Sequence, residues 1–264
     1  MTSKVLQLLS VLSKRPSEFG DRLLAGFENR RESLLSERVD YQALVVSDWR
    51  SVLAAVLSAR LPSQSGDCSL AAIEAKIEES KAHMPPEAPF GAFHNGDSLL
   101  GRVCYSVVRA LQANQVVETG VCYGVTSSYV LTALDTNGGG VLHSIDLPPL
   151  GKDGDRFVGW FIPSELRSHW NLHRGVSRRL LPPLLARVGP LDLFIHDSLH
   201  TYRNMRDEFA LAWRALRPGG VLISDDIEGN AAFLELSQQP DVAQSVVIKE
   251  ANKNSLLGVA VKCL

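Results

Sequence analysis

The chain has 264 residues, of which 45% are hydrophobic and 21% charged, and its formal net charge is −2. This composition fits one globular domain with an appendage, and the absence of a basic excess argues against a nucleic-acid partner. Four dispersed cysteines without a C-x-x-C pair indicate neither a zinc site nor a disulfide framework. Lacking a signal-peptide pattern or a membrane-length apolar run, the sequence predicts a cytoplasmic protein with no membrane partner.

Residues 1–92 are predicted to form a helical N-terminal region. Apolar side chains recur there at helical spacing, and prolines separate the segments. Ser63–Asp67 and His83–Pro89 have the composition of linkers. No motif in this region carries chemistry, and we expect self-association of the chain, if it occurs, to use these helices.

Residues 93–264 show alternating strand and helix patterns, which predict an α/β fold with a doubly wound, mostly parallel sheet. The last two strands are separated only by Ala251–Ser255, too short for a helical crossover, so they are expected to pair as an antiparallel hairpin. Seven strands are predicted in all: Gln115–Glu118, Val141–Asp146, Asn171–Gly175, Leu191–Asp197, Gly220–Ser224, Ser245–Glu250 and Leu256–Lys262.

A glycine-containing turn follows the first of these strands. The strand ends at Glu118, the chain passes Gly120 and Gly124, and a helical pattern begins. Such a turn places backbone N–H groups and the positive end of a helix beside a ligand, and glycines permit close approach. A dinucleotide fingerprint would need glycine where Cys122 and Val125 stand, which argues against NAD or flavin. A strand–turn–helix without any ligand is the alternative.

The next strand ends in Asp146, the position at which an acidic side chain reads a ribose diol. With the glycine turn, this resembles the S-adenosylmethionine (SAM) dependent methyltransferases of the Rossmann-like class, whose first motif is an acidic residue followed by x-G-x-x-x-G. Many members have glycine at the position of Cys122. The resemblance implies SAM as cofactor, Asp146 on its ribose, Thr126 near its carboxylate, and around its methionine part Glu118, Gly120 and Gly124.

A further segment, Asn171–Ser177, is similar to the third cofactor motif of these enzymes, a strand that ends in G-x-S before a helix. The resemblance implies that Ser177 lies near the adenine. The alternative is that Ser177 only caps a helix beginning at Arg178.

Acidic residues end two later strands at the same predicted edge of the sheet. Asp197 ends one strand, with His200 three residues later, and Asp225 and Asp226 follow the next strand. Three carboxylates together repel one another unless a cation or a proton intervenes. Oxygen ligands in this number suit a hard divalent ion such as Mg²⁺. The alternative for the Asp225–Asp226 pair is a solvated loop.

The same residues resemble the metal-dependent O-methyltransferases of the catechol type, with His200 in place of their lysine and Asp226 in place of their asparagine. The segment Phe194–Phe209 is also similar to a bacterial group with a D-x-x-H-[ST]-Y motif, which includes sugar O-methyltransferases of antibiotic pathways. The resemblance implies a small-molecule hydroxyl acceptor and Asp197 beside the cofactor. His200 would then be the general base, and the metal ligands would be Asp197, Asp225 and Asp226.

Several alternatives stay open in the sequence. The protein could be a metal-free methyltransferase that uses His200 alone, or a SAM-binding module without catalysis. His200 could instead cap the helix predicted at Tyr202–Leu216, while His196 is expected to pack within its strand. The insert between Pro148 and Phe161 could be a lid over the acceptor or an ordinary packed loop. The identity of the acceptor is not encoded in any motif.

Overall fold

The structure is a computed structural model that describes residues 2–35, 39–41, 44–45, 49–58, 61, 67–89, 98–150, 153–249 and 255–264. The helices are α1 (Thr2–Lys14), α2 (Pro16–Leu35), α3 (Trp49–Val56), α4 (Cys68–Ala82), α5 (Ser98–Leu111), α6 (Val125–Thr136), α7 (Ser177–Val188), α8 (Tyr202–Ala215) and α9 (Ala232–Ser237). The strands are β1 (Leu44–Val45), β2 (Gln115–Thr119), β3 (Val141–Asp146), β4 (Trp170–Arg174), β5 (Leu191–His196), β6 (Leu216–Ser224), β7 (Val242–Lys249) and β8 (Leu256–Lys262).

The described strands form one sheet in the order β1-β7-β8-β6-β5-β2-β3-β4. Strand β8 lies between β7 and β6 and is antiparallel to both, whereas the other pairs are parallel. The predicted mostly parallel sheet with a C-terminal antiparallel hairpin is therefore confirmed. In addition to the seven predicted strands, the sheet contains the two-residue strand β1 at one edge. The hairpin connection at residues 251–254 lies outside the described residues.

Each face of the sheet carries its own hydrophobic core. Val116, Leu193 and Ile195 point to one core, while their neighbours Val117 and Phe194 point to the other. This alternation follows from the two-residue period of a strand, and it explains why β2 and β5 are apolar on both sides. Helices therefore cover both faces, as a doubly wound sheet requires.

The N-terminal helices divide into two groups. Helices α3 and α4 contribute Leu53, Leu70, Ile73 and Ile77 to the first core. Of the α1 and α2 side chains that the structure describes, none belongs to either core, and Phe27 of α2 is 71% exposed. The predicted boundary at residues 92–93 and most of the predicted linker at residues 63–67 lie outside the described ranges, and self-association through these helices stays a prediction.

None of the helices within the described ranges is long and apolar enough to cross a membrane. The parallel strands β2 to β6 all end at one edge of the sheet, since their neighbours run in the same direction. That edge brings together the segments after the strands: Gly120, Asp146, Gly175, Asp197 and Asp225. Side chains widely separated in sequence meet there, where open α/β sheets bind ligands.

Candidate functional site

The turn after β2 requires both of its predicted glycines. Gly120 has φ +86°, and a Cβ atom there would collide with the carbonyl oxygen of Asp197. Gly124 has φ +82° and precedes α6, and a Cβ atom there would lie 2.9 Å from the Cα of Gly159. Cys122 adopts φ +50°, a left-handed conformation that glycine takes at little cost. The turn is therefore packed tightly between β5 and the insert after β3.

Glu118 lies behind this turn and is fully buried. Its Oε2 accepts hydrogen bonds from the hydroxyls of Ser127 at 2.7 Å and Ser144 at 2.8 Å. Burial raises the pKa of Glu118 to about 7, helped by the charge of Asp146 and opposed by the two hydroxyls. Thr126, in the first turn of α6, is also buried. Glu118, Gly124 and Thr126 thus lie behind the cleft rather than among its lining residues.

Asp146 is presented at the edge by the glycine turn. The backbone N–H groups of Leu147, Val121 and Cys122 donate to its carboxylate, but burial is the larger effect and raises the pKa of Asp146 to about 6. The carboxylate is fixed by backbone groups on both sides, so its direction into the cleft is set by the fold. This is the place where a ribose diol is read in related folds.

A cleft of about 550 Å³ opens beside Asp146, within the range of small-molecule sites. The structure brings four of the predicted cofactor residues together in its lining: Gly120, Asp146, Ser177 and Asp197. Ser177 is the first residue of α7, and its Oγ lies 3.5 Å from Oδ1 of Asn204. The residue in the cap position is Val176, so the alternative that Ser177 only caps this helix is wrong.

Helix α2 forms the opposite wall of the cleft, which the sequence did not predict. Five residues on one face of α2 line the cleft: Asp21, Leu24, Ala25, Glu28 and Asn29. The available signal in the sequence was the helical spacing of these residues. That spacing does not show which part of the protein a face of mixed polar and apolar side chains contacts.

Ion pairs attach this wall to the rim of the sheet. Glu28 pairs with Arg178 at 2.6 Å, and Asp21 pairs with Arg179 at 2.8 Å. Glu18 pairs with Arg174 at 2.5 Å. Burial alone would raise the pKa of Glu18, but hydrogen bonds from Arg174 and Arg22 outweigh it and lower the pKa to about 2.

His200 lies between two carboxylates and follows the lining residues Asp197, Ser198 and Leu199, but it does not itself line the cleft. Its Nε2 is 3.8 Å from Oδ1 of Asp197, and its Nδ1 is 3.8 Å from Oδ2 of Asp226. Burial lowers the pKa of His200 to about 4, with a further contribution from His196, so the imidazole is neutral at pH 7. Burial and the charge of Asp225 raise the pKa of Asp197 well above its ordinary value. Thr201 caps α8 by accepting from the N–H of Asn204, so the capping role considered for His200 is wrong.

The acidic side chains do not fit a divalent ion in this arrangement. The imidazole of His200 occupies the space between Asp197 and Asp226, and the hydroxyl of Ser255 donates to Oδ1 of Asp226 at 2.5 Å. Within the described ranges, no three His, Cys, Asp or Glu side chains are placed so as to hold a metal. The ion predicted from Asp197, Asp225 and Asp226 stays a prediction.

The insert after β3 is packed rather than free. Phe157 and Phe161 are buried, and the N–H of Phe161 donates to the carbonyl of Tyr123 at 2.8 Å. The N–H of Gly159 likewise donates to the carbonyl of Cys122 at 3.0 Å. The described part of the insert therefore supports the glycine turn from outside, which favours the packed-loop alternative. Residues 151–152 lie outside the described residues.

The chain is similar to known methyltransferases in sequence over its central part. Residues 117–227 match a family model described as a methyltransferase domain. The match begins within β2 and ends just beyond Asp226, so it includes the glycine turn and all four strand-end segments described above. No curated protein matches the chain significantly.

Solved structures resemble the chain over most of its length. The O-methyltransferase from Bacillus cereus, in complex with SAH (S-adenosylhomocysteine), has 18% identity and a TM-score of 0.56, covering 81% of this chain and 98% of that one. TomG from Streptomyces achromogenes, an O-methyltransferase involved in tomaymycin synthesis, in complex with SAM, has 18% identity and a TM-score of 0.53, with coverages of 82% and 97%. A methyltransferase from Geobacter sulfurreducens has 20% identity and a TM-score of 0.52, with coverages of 82% and 98%. The chain therefore has the methyltransferase fold.

Proposed function

We propose that the protein is a SAM-dependent methyltransferase that acts on a hydroxyl group of a small molecule. The observation that carries this proposal is the placement of Asp146. Its carboxylate is held by N–H groups of the glycine turn at the wall of a 550 Å³ cleft, where it can accept from both hydroxyls of a ribose. The matched methyltransferase model and the fold shared with SAM- and SAH-bound enzymes support the same cofactor.

Ser177 and Gly175 line the part of the cleft that follows β4, the end assigned to the adenine. Asp197 lines the part that follows β5, next to His200. In this assignment the ribose lies at Asp146 and the methionine part extends past Gly120 toward Asp197. The acceptor then approaches from the side of His200.

Methyl transfer from a sulfonium needs the nucleophile, carbon and sulfur in line and an electron-rich nucleophile. SAM supplies the electrophilic methyl group when bound. His200 is neutral at pH 7 and can take the proton of the acceptor hydroxyl. Asp226, 3.8 Å from Nδ1, would stabilise the imidazolium that results. This mechanism uses His200 alone, in keeping with the arrangement of the carboxylates.

Calorimetric titration with SAM tests the cofactor assignment. The wild type is expected to bind in the micromolar range, and Asp146→Ala is expected to weaken binding about ten- to a hundredfold, since hydrogen bonds to a charged group contribute about 1.5–3 kcal/mol. A matched control is Asp192→Asn, because Asp192 accepts from the N–H groups of Asn114 and Gln115 at the opposite edge of the sheet. Wild-type protein that binds no SAM would refute the assignment. A mass-spectrometric screen of hydroxylated small molecules with labelled SAM would then identify the acceptor.

A further inference from the structure

A buried carboxylate lies beneath the cleft, on the inner face of α8. Glu208 is 2% exposed, and four side chains donate to its two oxygens. Its Oε2 accepts from Thr119 Oγ1 at 2.6 Å and from His196 Nδ1 at 2.8 Å. Its Oε1 accepts from Asn204 Nδ2 at 2.9 Å and from Ser198 Oγ at 3.0 Å. One side chain thereby joins the end of β2, the end of β5, the loop after β5 and the start of α8.

The residues that donate to Glu208 line the cleft or lie next to residues that line it. Ser198 and Asn204 line it, and Thr119 directly precedes Gly120 of the glycine turn. The backbone is tied at the same place, because the N–H of Asp197 donates to the carbonyl of Thr119 at 2.8 Å. Glu208 itself is not among the residues that line the cleft. Any effect that it has on a ligand therefore acts through these neighbours.

The carboxylate also orients the histidines. Since Glu208 accepts from Nδ1 of His196, the proton of that ring is fixed on Nδ1 and the ring cannot rotate freely. The ring of His196 packs edge-on against His200, with 5.2 Å between the ring centroids. Burial would raise the pKa of Glu208, but its electrostatic interaction with His196 and the hydrogen bonds that it accepts outweigh burial and lower the pKa to about 2, so the acceptor is ionised. Charged hydrogen bonds of this kind are stronger than neutral ones and hold geometry more firmly.

We propose that Glu208 is a positioning residue for cofactor binding, which clamps the glycine turn, Ser198 and Asn204 into the shape that the cofactor needs. The proposal rests on the proposed function, since it assumes that the cleft takes SAM. A purely structural carboxylate would affect only the stability of the protein. Loss of the Glu208 carboxylate is expected to change ligand affinity as well.

The test compares the SAH affinity of Glu208→Gln with that of the wild type by calorimetry, with thermal unfolding of each variant measured alongside. Glutamine keeps the size of the side chain but replaces one accepting oxygen with a donor and removes the charge. The dissociation constant for SAH is expected to rise at least about tenfold. The control is Asp192→Asn, which removes the charge of a half-buried carboxylate that accepts from Arg217 Nε at 2.6 Å far from the cleft. It is expected to unfold at a lower temperature with unchanged SAH affinity.

A second pair of variants keeps the test decisive if Glu208→Gln does not fold. Thr119→Val removes one donor to Glu208 with little change in volume, and Thr119→Ser retains the hydroxyl. The valine variant is expected to weaken SAH binding about three- to tenfold, as loss of one hydrogen bond allows, and the serine variant to restore wild-type affinity. SAH affinities that stay at the wild-type value in the folded Glu208 or Thr119 variants, with only stability reduced, would overturn the positioning role. A wild type that does not bind SAH would overturn the proposed function, and the positioning role with it.

Discussion

Glu28 of α2 and Arg178 of α7 face each other at 2.6 Å, and both line the cleft, so an ion pair joins its two walls. Glu28→Arg would place two cations together there and push α2 outward. We expect SAH affinity to fall about three- to tenfold, since a partly exposed pair contributes about 1 kcal/mol and like charges cost a similar amount. The double variant Glu28→Arg/Arg178→Glu restores the pair in reverse and should recover most of the affinity in calorimetry. A double variant no better than the single one would contradict the contribution of this pair.

Cofactor binding is expected to weaken in mild acid. The pKa of Asp146 is raised to about 6, and only the ionised carboxylate accepts from both hydroxyls of a ribose. SAH affinity should therefore be constant above about pH 7 and fall as the pH drops through 6 toward 5. Isothermal titrations across this range measure the effect, and Asp146→Asn, which cannot titrate, should show a flatter profile. A wild-type profile that matches that of the asparagine variant would assign the pH dependence to another group.

His200→Ala is expected to reduce the rate of methyl transfer about a hundredfold or more while leaving SAH affinity within about twofold. The reason is that a positioned general base contributes about 10²–10⁴ to the rate, whereas the imidazole is not needed to hold the ribose or the adenine. Single-turnover rates with the acceptor identified by the screen, together with calorimetry, separate the two effects. An unchanged rate would remove His200 from the chemistry.

Chelation tests whether the reaction needs a metal. Because the imidazole of His200 separates Asp197 from Asp226, we expect activity to persist after dialysis against EDTA. Asp226→Asn is then expected to lower the rate by less than His200→Ala, since it weakens only one of the two carboxylates that face the ring. Loss of activity in EDTA that Mg²⁺ restores would instead support the metal site predicted from the sequence.

The sheet was predictable because its signals are local. Apolar strands, the short connection before β8 and the glycines of the turn each report on their own neighbourhood. The contribution of α2 was not predictable, because Glu28 and Arg178 are far apart in sequence and pair through charge rather than through an apolar pattern. The strand-end carboxylates do gather at one edge, as expected. Their directions depend on backbone details such as the φ of +48° at Asp226, which no motif encodes.

Glu208 shows the same limit on a helix. A carboxylate on a helix is usually exposed to solvent. Which face of α8 is buried depends on the rotation of the helix about its own axis. Its spacing of four from Asn204 and its position beside Phe209 were the available signals. They indicate a shared face for Asn204 and Glu208, but not that Thr119, His196 and Ser198 from three other segments also donate to Glu208.

Charged pairs attach α2 to the rim of the sheet, and none of its described side chains belongs to either core, so we expect the attachment of this helix to depend on the ligand. A ligand held between α2 and the sheet binds only when both walls are in place, so by mass action it stabilises the seated helix. Arg30 and Arg31 near the end of α2 are exposed, and we expect trypsin to cleave after them more slowly when the ligand is bound. The lifetime of the N-terminal segment would thus follow the concentration of cofactor around it.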